Sequence, residues 1–468
     1  MFRGRLLEAL LAGVTVWGCS NPYSGPVADG DVAAASDASA APGAGGRAGG
    51  AGGVRAGGGT GGRAAAPGGG AGGRGGAGGA GAPKDAGSVA PDAADPCPNG
   101  PCFKATAVSV GHAHACALLV DGTVRCWGSN GQGQLGNPEV SEDHVNFPVK
   151  VVAVANAVAI AAGWNHTCAL SADGTVFCWG RNEHGQLGGG MIEPPLPELT
   201  DGGLPSAVRG KTVLTAAGAR GATAIGAGAE HTCALMPGGS IRCWGYNYYP
   251  LGVGSTDSNV PSPSEVTGLS GVSVIAVGSY HTCARLSDSS VSCWGGNSND
   301  ETGTPQVGFS GVAAPTSVRN VSGVVALAAG LKHTCALIND GSVRCWGGGE
   351  DGQLGNGALP ARSAPVAVKN LGKVLGLVAG PSRTCAIGAD ASTRCWGDNR
   401  FGEFGIGLGS VTPLPVLSGF AGETTLSSGD YTSCVVVNGG SIRCSGYRLY
   451  GPVRGDLVAP TPVTVPGF

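Results

Sequence analysis

Charge and aromatic rings are scarce in this chain: Asp, Glu, Lys and Arg make up 13% of its 468 residues, and Phe, Trp and Tyr only 5%. With a net charge of -3 and arginines that stand singly among glycines near the N-terminus, there is no basic footprint for nucleic acid. The glycines keep no three-residue period, which excludes collagen, and their long tract has no strand before it and no helix after it, which excludes a phosphate loop. The repeated cysteines lie ten positions apart rather than at the short spacing of zinc ligands. No cofactor site is expected.

What is present is unevenly distributed. Arg3 and Arg5 precede an apolar run from Leu6 to Trp17, too short to span a bilayer and shaped like a secretory signal. It ends in Val16-Trp17-Gly18-Cys19, which resembles the lipobox of bacterial lipoproteins and departs from it at Trp17, where a small residue is usual. The resemblance implies acylation at Cys19. Residues 1–19 are read as a lipoprotein-type signal and 20–96 as a Gly/Ala-rich linker, with almost nothing aliphatic or aromatic to bury from Ala28 to Asp95. Roughly 70 disordered residues would reach about 45 Å.

From 97 to 468 the chain repeats itself. One unit runs from Gly163 through His166, Cys168, Asp173-Gly174, Cys178-Trp179-Gly180 and Gln186-Leu187 to Gly188. It recurs with first cysteines at Cys116, Cys168, Cys233, Cys283, Cys335, Cys385 and Cys434, and each has a second ten positions on, at Cys126, Cys178, Cys243, Cys293, Cys345, Cys395 and Cys444. The segment between reads as a hairpin. A three-residue turn with Gly122 left-handed closes the ladder at Leu119 and Thr123, which sets Cys116 opposite Cys126 in a non-hydrogen-bonded pair where a bridge is feasible. Seven such disulfides are expected, each worth at most about 3 kcal/mol. Cys97 and Cys102 make one further pair, leaving Cys19 as the odd thiol that lipidation would explain. Export also favours bridges over free thiols.

Each unit yields four strand-like stretches, here strands A to D: Val158 to Ala162, the His-Thr-Cys-Ala-Leu run, the Thr-Val-Phe-Cys-Trp run, and a Pro-Val-x-Val run such as Pro148 to Val151. Seven four-stranded antiparallel sheets around an axis make an all-β, seven-bladed propeller. The motifs Gly-x-x-His-Thr-Cys-Ala-Leu, Asp-Gly-x-Val-x-Cys-Trp-Gly and Asn-x-x-Gly-Gln-Leu-Gly, as at Gly163 to Gly188, resemble the regulator-of-chromosome-condensation repeat, whose seven copies build such a propeller. Copies six and seven drift, with Arg383 and Thr432 in place of the histidine and Ser445 in place of the tryptophan, so the last blade is expected to be irregular. The chain opens with a strand A (Ala107 to Val110) and closes with a strand D (Pro462 to Val465), so the ring would close without a shared blade.

His114, His166, His231, His281 and His333 recur by symmetry, which suits a local hydrogen bond fastening each blade better than a catalytic centre, where different groups must converge. Asp121, Asp173 and Asp340 belong to their turns. No catalytic or metal residues are assigned. Aromatic residues are more informative, because the A-B and C-D connections lie at one end of every blade. Trp164, Tyr246, Tyr248, Tyr249, Tyr280, Phe401, Phe404 and Tyr431 all fall there, as do Phe309, Tyr447, Tyr450 and an insertion from Gly189 to Lys211. Such a set on one rim is what a binding hot spot uses.

The expected protein is therefore an exported, monomeric, lipid-anchored propeller of the cell envelope, on an outer membrane or cell surface, presenting an aromatic face to an unidentified protein or glycan. The resemblance adds two alternatives, a guanine-nucleotide-exchange-factor-like activity and a secreted enzyme inhibitor. A propeller lyase is a third, and it would need an asymmetric cluster of His, Glu and metal.

Overall fold

A computed structural model describes residues 103–193, 212–305, 311–360, 362–420, 422–447 and 458–468. The signal, the linker, Cys19, Cys97 and Cys102, Phe309, Tyr450 and most of the blade-two insertion lie outside them. The described chain forms seven four-stranded antiparallel sheets, each pairing in the order A-B-C-D. Blade one is typical, with strands Ala105–Val110, His114–Leu119, Val124–Ser129 and His144–Lys150.

The hairpin register is the one the turn dictates. Cys116 pairs with Cys126, Leu119 N donates to Thr123 O at 2.9 Å, and Gly122 takes φ +75°. All seven B-C cysteine pairs are bridged, with Cα atoms 4.0 to 4.1 Å apart. In the same turns Asp121, Asp173, Asp288, Asp340 and Asp390 accept a backbone N–H two residues on, which fixes the reversal. On the outer edge, where an unpaired ladder would invite aggregation, strand D carries proline: Pro148, Pro263, Pro315, Pro365, Pro415 and Pro462. Blade two differs, with a strand D of only Leu214–Thr215 beyond the insertion.

Blades are joined by the repeat's most regular residues. Trp179, Trp244, Trp294, Trp346 and Trp396 are buried, and each Nε1 donates to a carbonyl of the preceding blade at 2.8 to 3.0 Å. The histidines also reach across. His114, His166, His231, His281 and His333 bond through Nε2 to Thr167, Thr232, Thr282, Thr334 and Thr384 of the next blade at 2.7 to 3.3 Å. The expected local bond within each blade is thus an interblade one. Thr232 passes its own proton to Gln186 O, so His166 is the donor, and burial lowers these imidazole pKa values to about 3, or about 4 for His231. They stay neutral.

The repeat glycine follows from the same packing. A Cβ on Gly163 would lie 2.3 Å from Gly228 O and 2.4 Å from the His166 ring. The ring of blades closes without a shared blade, as Val110 N donates to Ser427 Oγ, Phe103 N to Gly467 O and Ala105 N to Gly440 O at 2.9 to 3.0 Å, while Phe468 packs between Phe103 and Trp127. Contrary to expectation, blade seven keeps the common register, pairing Cys434 with Cys444. Ser445 takes over the tryptophan's bond by donating to Glu403 O at 3.2 Å, and Phe404, larger than the leucine of other copies, sits wholly buried nearby.

Gly163→Ala is expected to cost about 2 to 3 kcal/mol in urea unfolding through overpacking against blade three, whereas Gly131→Ala, whose Cβ meets nothing within 4 Å, is expected to stay within about 0.5 kcal/mol.

Candidate functional site

The A-B turns meet around the propeller axis, where backbone bonds lace neighbouring blades together. His112 N donates to Trp164 O, Trp164 N to Ala229 O, Ala229 N to Ser279 O, Ser279 N to Gly330 O, and Leu331 N to Pro381 O, at 2.9 to 3.3 Å. Pro381 has no N–H to continue the series. Arg383, standing where other blades have histidine, supplies the missing donors: its guanidinium bonds to Gly429 O at 2.7 Å and Asp430 O at 2.6 Å, and pairs with the buried Glu403 at 2.5 Å. At the seam between blades seven and one, His112 bonds to Asp430. Burial works to lower the His112 pKa, but the hydrogen bond and charge of Asp430 outweigh it and raise the value above 6.5.

On this laced rim the aromatic side chains form an unbroken series of contacts. His184 packs on Tyr246 at 4.3 Å between ring centroids, and Tyr246 stacks on Tyr248 at 6.0 Å. Tyr248 meets Tyr249 edge-on at 5.2 Å, and Tyr249 meets Tyr280 at 4.6 Å. The A-B turn of blade three, Gly228-Ala229-Glu230, carries no aromatic ring, and Trp164 of blade two reaches Tyr280 of blade four at 5.7 Å. His112 then touches both Trp164 and Tyr431, and Tyr431 packs with Phe401 at 5.3 Å and Tyr447 at 6.1 Å. Tyr248 is 55% exposed and most others are half-buried, so rings that pack on one another still present surface. Burial, with Glu230 adding repulsion, raises the Tyr246 and Tyr249 pKa values, so these phenols remain neutral donors.

The structure brings together seven of the eight aromatic residues expected on this face. Phe404 is the correction: at 0% exposure it is core, because it occupies the leucine position of the Gly-Gln-Leu-Gly motif. That motif position, rather than residue type, was the available signal. Sequence reasoning left out His112 and His184, which extend the arc, although His112 holds the same turn position as Trp164. Among the described residues, no group of three His, Cys, Asp or Glu side chains converges as a metal site.

A disulfide-pinned, seven-bladed propeller with one aromatic end is thus the class that fold and face define. The chain belongs to the RCC1-like domain family, whose model matches residues 68–381. It is 27% identical over 261 residues to the ultraviolet-B receptor UVR8 of Arabidopsis thaliana, across 53% of this chain and 54% of the receptor, so it spans about half that relative's length. It is 32% identical over 181 residues to the secretion-regulating guanine nucleotide exchange factor of Bos taurus, across 36% of each. Among solved structures it resembles yeast RCC1 (Prp20) in complex with Kap60, with a TM-score of 0.62, 19% identity, and coverage of 78% of this chain and 85% of that one.

One buried carboxyl beneath the face gives a pH signature. Glu301 takes the place of Gln134, Gln186 and Gln353, accepting the same turn N–H, from Asn299 at 2.6 Å. Burial pushes its pKa up from 4.5 to about 7. The folded protein therefore holds a proton that the unfolded chain has released, and this group's contribution to stability falls as pH rises from about 4.5 through about 7. Glu301→Gln is expected to remove that dependence and to stabilise the protein at pH 8 by on the order of 1 to 3 kcal/mol, read from urea midpoints at pH 5 and pH 8.

Proposed function

We propose that this chain is an extracytoplasmic, lipid-anchored propeller that binds a protein partner through its A-B/C-D face. The observation that carries this reading is the continuous aromatic arc from His184 to Tyr447, on one end of the ring and built from residues of six blades. Large, preorganised amphipathic rings contribute contact area at low entropic cost, the property hot spots share. The compartment is supported by seven bridged hairpins, which persist in oxidising surroundings, and by the signal-like run ending at Cys19.

A second reading has one observation in its favour, the likeness to a guanine nucleotide exchange factor. The disulfides weigh against it, since small GTPases and their nucleotides are found in reducing compartments.

Expression of the precursor in a bacterial host, followed by intact mass spectrometry with and without reduction, is expected to find the chain in the membrane fraction, acylated at Cys19 and two protons lighter per bridge. A soluble, unprocessed, reduced chain would overturn the address and bring the exchange reading forward, to be settled by release of labelled GDP from a small GTPase. For the face, Tyr280→Ala and Trp164→Ala are each expected to weaken capture of a crosslinked envelope protein by at least about 30-fold with little change in thermal midpoint. Equal capture by wild type and both variants would refute the face.

A further inference from the structure

Charge is distributed between the two ends of the propeller very unequally. In the described A-B and C-D connections, ten Asp and Glu side chains reach solvent against four Lys and Arg, whereas the B-C and D-A connections with the adjoining N-terminal Lys104 carry five of each sign. The overall charge of -3 conceals this polarity. Of the four described cations at this end, Arg181 and Arg400 are engaged in ion pairs. Arg181 pairs with Glu183 at 2.5 Å and with Glu230 at 2.8 Å, and Arg400 pairs with Asp398 at 2.7 Å. Glu139, Glu142, Asp143 and Glu350 are left exposed in the C-D connections of blades one and five, at the same end as the aromatic arc.

The two features coincide at blade three. Tyr248 and Tyr249 meet at an interplanar angle of 90°, Tyr246 stacks on Tyr248, and Glu230 carries its carboxylate beside Arg181 and His184 at the base of this cluster. Neutral phenol rings offer negative π faces, which attract a guanidinium or ammonium group, and a nearby carboxylate adds to that attraction. Such a surface repels anionic glycans, nucleic acid and phosphorylated segments.

Resting on the face being the binding surface, we infer that its partner is a cationic polypeptide segment, whose Arg and Lys side chains seat over Tyr248 and Tyr249 within the acidic rim. Opposite charge speeds and orients the encounter, and the tyrosine faces make the contact short-ranged and specific.

The test uses the purified, disulfide-bonded chain and labelled 20-residue peptides of alternating Gly-Arg, Gly-Glu and Gly-Ser, with a neutral hexasaccharide as a further probe, read by fluorescence anisotropy. Saturable binding of the Gly-Arg peptide alone is expected, weakening at least tenfold between 25 and 300 mM salt. The pair Tyr248→Ala/Tyr249→Ala is expected to weaken it at least tenfold more. The control pair Asp173→Asn/Asp340→Asn, on the opposite end, should change it less than twofold. Binding insensitive to the tyrosine pair, or lost equally with the control pair, would reduce the effect to diffuse ionic attraction and overturn the inference. Failure to bind any peptide would overturn it too. Tyrosine-dependent binding of the neutral hexasaccharide would overturn it while leaving the face as a binding surface, and capture of an envelope partner through Tyr280 and Trp164 is read separately.

Discussion

A closed ring of blades has no open end at which misfit between neighbours can be relieved, so everything in this structure depends on one repeated joint. At five of the seven joints a buried, neutral imidazole bonds to a threonine of the next blade, and a tryptophan of that blade donates back to a carbonyl of the blade before. The geometry leaves room for only a hydrogen on the glycine that backs the imidazole. Disulfides secure each hairpin from within, but it is the joint that converts seven hairpins into one body. Its departures are compensated in kind: a proline that cannot donate is accompanied by an arginine that can, and a serine in the tryptophan's place by a phenylalanine that fills the space.

Much of this was legible before any coordinates. The ten-residue cysteine spacing and a turn needing Gly122 determine the register, and the recurrence of four strand-like runs determines the blade. The interblade role of the histidines was less accessible, because their threonine partners lie 51 to 66 residues away and a repeat hides whether a contact is made within its own copy or the next. Arg383 and Ser445 looked like decay of the pattern and proved to be substitutes that preserve it. Phe404 misled for the opposite reason, since residue type suggested a surface anchor while its place in the motif dictated burial.

The face itself is a product of asymmetry laid over symmetry. Residues that recur in every blade are consumed in holding the ring, whereas those that occur once or twice, such as Trp164, Tyr248 and Tyr280, stand in turns that the fold leaves unconstrained. Among the described residues, carboxylates gather at that same end, where the C-D turns are long and polar, and Arg181 and Arg400 are drawn into pairs with them.

The seam between the first and last blades has one more consequence. Since every sheet is made from a continuous stretch of chain and Phe103 lies against Phe468, the two ends of the ring are neighbours, and no strand must travel across the molecule to complete a partner's sheet. The point at which the ring opens is then a matter of covalent bookkeeping rather than of packing. A chain cut in any D-A connection and rejoined at the seam would still hold seven complete sheets, and a gene could rotate its order of blades without dismantling one of them.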